Sequence, residues 1–112
     1  MLGNLFKKRK CSDELLLIAL EENGANLSKP HIINFRLHSD NAPSARAIAE
    51  ELSSKGLCAE ILLPDNDNLF ICIAKKELVP ELNAVRSLTK ELTLLAQQQG
   101  GVYDDWSADP VS

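Results

Sequence analysis

Two histidines, three cysteines and sixteen carboxylates are the residues of this 112-residue chain whose types could do chemistry, so their spacing comes first. His31 and His38 stand seven apart in one alternating stretch. On a strand that puts them on opposite faces, roughly 23 Å apart at 3.3 Å per residue, too far to share a metal. Cys11, Cys58 and Cys72 have neither Cys-x-x-Cys nor Cys/His zinc spacing. An odd, widely spaced set fits reduced thiols, and Cys58 and Cys72 read as small apolar strand residues. Asp65-Asn66-Asp67-Asn68 suggests a calcium loop, but an EF-hand needs Gly sixth and Glu twelfth, where Phe70 and Lys76 stand. Gly100-Gly101 lacks the lysine of a phosphate loop and precedes a strand. No serine sits in a nucleophile elbow, and no carboxylate has a recognisable acid–base partner. The residues predict no catalytic centre, no metal site, no cofactor and no enzyme.

One constellation remains. Tyr103, Asp104, Asp105, Trp106 and Asp109 gather three acids and the only tryptophan within seven residues. Strict alternation puts Val102, Asp104 and Trp106 on one side, with Tyr103 and Asp105 on the other. As a docking patch, Trp106 and Tyr103 would anchor while the acids pair with arginine. As plain structure, Trp106 and Val102 would cover the core and Asp104 would cap a turn.

Charge favours one kind of partner. Residues 1–10 hold Lys7, Lys8, Arg9 and Lys10 and no acid; the remainder holds 8 bases against 16 acids, a net of −8. An acidic body repels phosphate and attracts basic polypeptide. The longest apolar run, LLLIAL at residues 15–20, is far below the roughly 18 residues of a membrane span, and MLGNLFKKRK has no secretory pattern. A cytoplasmic protein of one domain is expected, with no membrane contact: a basic tail at 1–11, a folded part at 12–107 and a frayed tail at 108–112.

The elements that must position these residues follow from periodicity. Ser12, Asp13 and Glu14 open a helix over about 12–23, the acids placed where its dipole favours them. HIINFRLH (31–38) alternates as a half-buried strand. A helix with the stripe Ala45, Ile48, Ala49 and Leu52 closes at Gly56. LCAEILL (57–63) and LFICIAK (69–75) form a hairpin across the turn formers PDNDN. A third helix carries Leu82, Val85, Leu88, Leu92 and Leu95 with Pro80 in its first turn, and VYDDW (102–106) is the last strand. The order predicts an α+β, ferredoxin-like βαββαβ two-layer sandwich, a four-stranded antiparallel sheet with an extra N-terminal helix on an edge or on the open face.

LLAQQQGGVYDDW (94–106) resembles the helix-to-strand ending of the regulator of ribonuclease E activity B (RraB) family, which closes its last strand in Tyr-Asp-Gly-Trp after a glycine-containing turn. A looser likeness covers about 14–107: the leading helix, the strand opening near His31, the Gly56 break, LFICIAK and the long third helix. Asp105 stands where the family usually has glycine, and the sequence ends at Ser112 without the long acidic extension of some relatives. The resemblance implies a non-enzymatic regulator that binds ribonuclease E, through its basic scaffold region, and inhibits or modulates RNA turnover. An acidic body has the right sign for that partner.

Two other classes stay open. One is a ligand-sensing or oligomerising ferredoxin-like module; the first helix, apolar on more than one side, offers a homodimer contact. The other is an RNA-binding domain, since the RNA-recognition module shares this topology and stacks bases on aromatics of its first and third strands. LFICIAK has one aromatic, no glycine and no base before Phe70, so no direct nucleic-acid contact is expected.

Overall fold

The alternation of the first strand decides the architecture, because it gives the sheet one face that must be covered. In the computed structural model, which describes residues 12–62, 64 and 68–112, the elements run α1 (Ser12–Glu22), β1 (His31–Ser39), α2 (Ala42–Ser54), β2 (Cys58–Leu62), β3 (Phe70–Leu78), α3 (Leu82–Gln98) and β4 (Val102–Ala108). The basic segment 1–11, Cys11 included, and residues 65–67 of the predicted turn lie outside the described residues. Within β1, His31, Ile33, Phe35, Leu37 and Ser39 are all buried, whereas Ile32 and Arg36 are exposed.

Strand order is β2-β3-β1-β4 with every neighbouring pair antiparallel. This is the expected two-layer ferredoxin-like sandwich. Register stacks Leu37 beside Cys72 and Ile61, and Phe35 between Ala74 and Trp106, so the helix-side face is continuously apolar. Ile48 and Leu52 of α2, with Val85 and Leu92 of α3, close the core over it. The opposite face carries three cross-strand rows: Leu62, Ile71, His38 and Val102; Glu60, Ile73, Arg36 and Asp105; Cys58, Lys75, Asn34 and Ser107.

Both long helices start from local chemistry. Asn41, extended at φ −145°, accepts the Ser44 N–H at 2.8 Å as the cap of α2, with proline in the first turn. Glu81 does the same for α3, accepting the Asn83 N–H at 3.3 Å. Pro80 therefore lies buried ahead of α3, and not in its first turn as expected. Cys58 also departs from expectation: it is exposed on an edge strand, while Cys72 is buried and its thiol is pushed up by burial.

The C-terminal residues are tied down, where fraying was expected. Ala108 still pairs with Ile33 in β4. Beyond it, the Val111 N–H donates to His31 Nε2 at 3.0 Å and the Val111 carbonyl accepts from the Asn26 N–H at 2.7 Å. The other nitrogen of His31, Nδ1, lies 2.8 Å from the Lys29 carbonyl. A buried imidazole needs both nitrogens satisfied, and the returning chain supplies the second partner.

The α3–β4 turn is as tight as the chain permits. A Cβ on Gly101 would stand 2.7 Å from the His38 carbonyl oxygen and 2.6 Å from Ile48 Cδ1. Gly101→Ala is therefore expected to destabilise the fold by about 1–3 kcal/mol, the range for forced overpacking, read as a lower urea midpoint at unchanged slope.

Candidate functional site

The predicted patch takes its shape from a carboxylate outside it. Asp13 shares a helical stripe with Leu17 and Leu20, at positions i, i+4 and i+7, and all three are buried. That stripe turns α1 toward the helix layer, where it packs beside α3 and over the edge strand β4 rather than on the open face. Asp13 Oδ1 accepts the Trp106 indole N–H at 3.0 Å, and Oδ2 accepts the Thr89 hydroxyl at 2.8 Å. One carboxylate thus joins α1, α3 and β4. Asp13 stands in the first turn, where the helix dipole favours it, and is also buried: burying a charge requires donors on both oxygens, and these are the donors.

Strand β4 departs from strict alternation. Trp106 lies opposite Phe35 and Asp105 opposite Arg36, but Tyr103 lies opposite Leu37, which leaves Asp104 without a counterpart. One extra residue makes a β-bulge and shifts the side-chain phase. Trp106, 2% exposed, and Tyr103 consequently pack on the same helix-side core, contrary to the alternation reading. Val102 is 49% exposed opposite His38 and does not cover the core.

Asp104 caps no turn. Its Oδ2 sits 2.8 Å from His38 Nδ1 and 3.6 Å from Arg36 Nε, so the bulged residue is clasped from the neighbouring strand. Asp105 is exposed and has no side-chain partner among the described residues. Its backbone stays in ordinary strand space, since Asn68 is the one non-glycine residue with positive φ among those described. An acid can therefore stand where relatives were expected to have glycine.

The five residues singled out in the sequence are thus divided. Tyr103, Asp104 and Asp105 are brought together at the bulge, Trp106 supports them from the core, and exposed Asp109 lies past the far end of β4. There it borders a separate depression of about 320 Å³ with Ile32, Asn34, Lys75 and Val111. Asp13 and Thr89 were missed, although the stripe shared with Leu17 and Leu20 was the signal for the first. Among the described residues no three His, Cys, Asp or Glu side chains are grouped to hold a metal, and no helix is long and apolar enough to cross a membrane.

Tyr103 is electrostatically unusual. Its hydroxyl is buried with no hydrogen-bond partner among the described residues, and burial first, then the carboxylates of Asp13, Asp105 and Asp104, push its ionisation well above the ordinary tyrosine value of 10.0. The folded state keeps the phenol proton at a pH where the unfolded chain has released it, so stability must fall as pH rises above about 10. The expected contribution is about 1.4 kcal/mol per pH unit above that point, present in the native chain and abolished in Tyr103→Phe, measured by urea unfolding across the alkaline range.

Removing the buried carboxylate tests the junction. Asp13→Ala leaves the Trp106 indole N–H without its acceptor and should cost about 1–3 kcal/mol. Trp106 is the only tryptophan, so the emission of the folded variant should shift to the red as α1 loosens over it.

Comparison with known proteins bears on what such a surface serves. A family model described as regulator of ribonuclease activity B matches residues 12–108, from the first turn of α1 to the end of β4. A protein named regulator of ribonuclease activity B, from Pseudoalteromonas atlantica (strain T6c), is 26% identical over 92 residues, covering 79% of each chain.

Proposed function

Because the chain belongs to the regulator of ribonuclease activity B family, we propose that it binds a ribonuclease through the acidic edge of β4 and modulates RNA turnover by occupancy, without chemistry of its own. The partner in this reading is ribonuclease E, engaged in the cytoplasm through its basic scaffold region. The observation that carries it is Asp105: an exposed acid beside bulged Asp104, on an edge strand, unpaired among the described residues, in a body of net charge −8. A carboxylate left without a partner at an edge is ready for an arginine, and the surrounding negative potential speeds encounter.

The sheet's open face argues against direct RNA reading. Phe35, Phe70, Tyr103 and Trp106 all pack on the helix side, so the open face carries no Phe, Tyr or Trp among the described residues, and its one histidine, His38, is held by Asp104. Stacking of bases on central strands has no platform there.

Calorimetric titration with the basic scaffold segment of the same organism's ribonuclease E, at two salt concentrations, tests the proposal. Saturable binding that weakens with salt, and falls at least about tenfold in Asp104→Ala/Asp105→Ala, is expected. Absence of heat at low salt, with both components intact, removes the named partner.

A further inference from the structure

Beside the bulge, a groove of about 480 Å³ runs between the first turn of α1, the outer face of α3 and the start of β4. Its walls are Ser12 and Asp13 from α1, Thr89, Lys90, Thr93 and Leu94 from α3, and Tyr103 and Asp104 from β4. Leu94 is the most exposed large hydrophobic residue described, at 60%, on a helix whose Leu92 and Leu95 are buried. A single exposed leucine is ordinary, but this one walls a concavity that also holds carboxylates.

We propose that this groove seats a basic–apolar stretch of the protein partner, with an arginine directed to Asp104 and an adjoining apolar side chain on Leu94. The assignment rests on the binding reading above and narrows it to one place.

Charge selects the occupant. Asp13 and Asp104 stand in the groove's walls, against Lys90 on the same wall and Arg36 and His38, which reach Asp104 from the neighbouring strand. The partial positive charge at the start of α1 is offset by Asp13 itself. An anionic ligand meets two carboxylates there. A wholly apolar one would desolvate Asp104 without adding a partner to it, which is costly. Arginine answers both demands, because its planar head presents several donors to carboxylates while its stem packs on leucine.

The test uses the full chain and two labelled synthetic peptides, one alternating arginine with leucine and one alternating arginine with glycine. Leu94→Lys places a cation in the groove at an exposed helix position. Leu62→Lys, 44% exposed at the far edge of the sheet, adds the same charge elsewhere as a control. The arginine–leucine peptide is expected to bind the more tightly. Its affinity should fall about tenfold or more in Leu94→Lys and stay within about twofold in Leu62→Lys, with amide shifts centred on Ser12, Thr93, Leu94 and Tyr103. Equal affinity for both peptides, an unaffected Leu94→Lys, or shifts centred on Arg36 and Ile73 of the open face would overturn the groove while leaving an acidic binding surface in place. Failure of both peptides and of the ribonuclease segment to bind would overturn the groove and the binding reading together.

Discussion

The carboxylate of Asp13 is the contact on which the arrangement of this protein's extra helix depends. Helix α1 is short, at 11 residues, and isolated helices of that length are marginal in water. Leu17 and Leu20 give it apolar area to bury, but area alone does not fix its direction or its register over β4. Hydrogen bonds to the Trp106 indole and the Thr89 hydroxyl do, because they are directional and reach two different elements. A buried charge without both donors would be costly, so this helix is held to one position over the sheet edge.

That position shapes the acidic surface. With Trp106 drawn into the core beneath α1, the bulge at Asp104 is the means by which the strand presents two consecutive acids away from the core. Edge strands commonly carry charges and bulges that discourage pairing with other chains, and β4 has both. His38 and Arg36 hold Asp104 from the neighbouring strand, while Asp105 remains open to solvent. The guarded edge and the proposed docking surface are therefore the same structural feature.

The fold was legible because its elements obey simple periods. HIINFRLH could only be a strand with one buried face, and the glycines at 56 and 100 break the helices where the periodicity ends. Four features were not legible, for physical reasons. A bulge is one residue of phase slip, and a side-chain period of two gives no warning of it, so Trp106 and Asp104 were placed on the same side. Asp13 satisfied two readings at once, as an acid that a helix dipole favours and as a member of the Leu17–Leu20 stripe, and composition favoured the first. The C-terminal residues misled similarly: ADPVS looks like a tail, and its return is held by contacts with residues far away in sequence, the second nitrogen of buried His31 and the Asn26 N–H. The groove beside Leu94 was invisible from sequence, since its walls come from three elements far apart in the chain.

The account stands or falls on the coupling between Asp13 and Trp106. A double-mutant cycle combining Asp13→Ala with Trp106→Phe, read by urea unfolding with circular dichroism, measures it most directly. Phe retains an aromatic ring and deletes the indole N–H, so the cycle isolates the hydrogen bond from the burial. A coupling energy of about 1.5–3 kcal/mol, as for a hydrogen bond to a charged group, is the predicted result. Losses that simply add, within about 0.5 kcal/mol, would show that Asp13 and Trp106 are not coupled and would contradict the account.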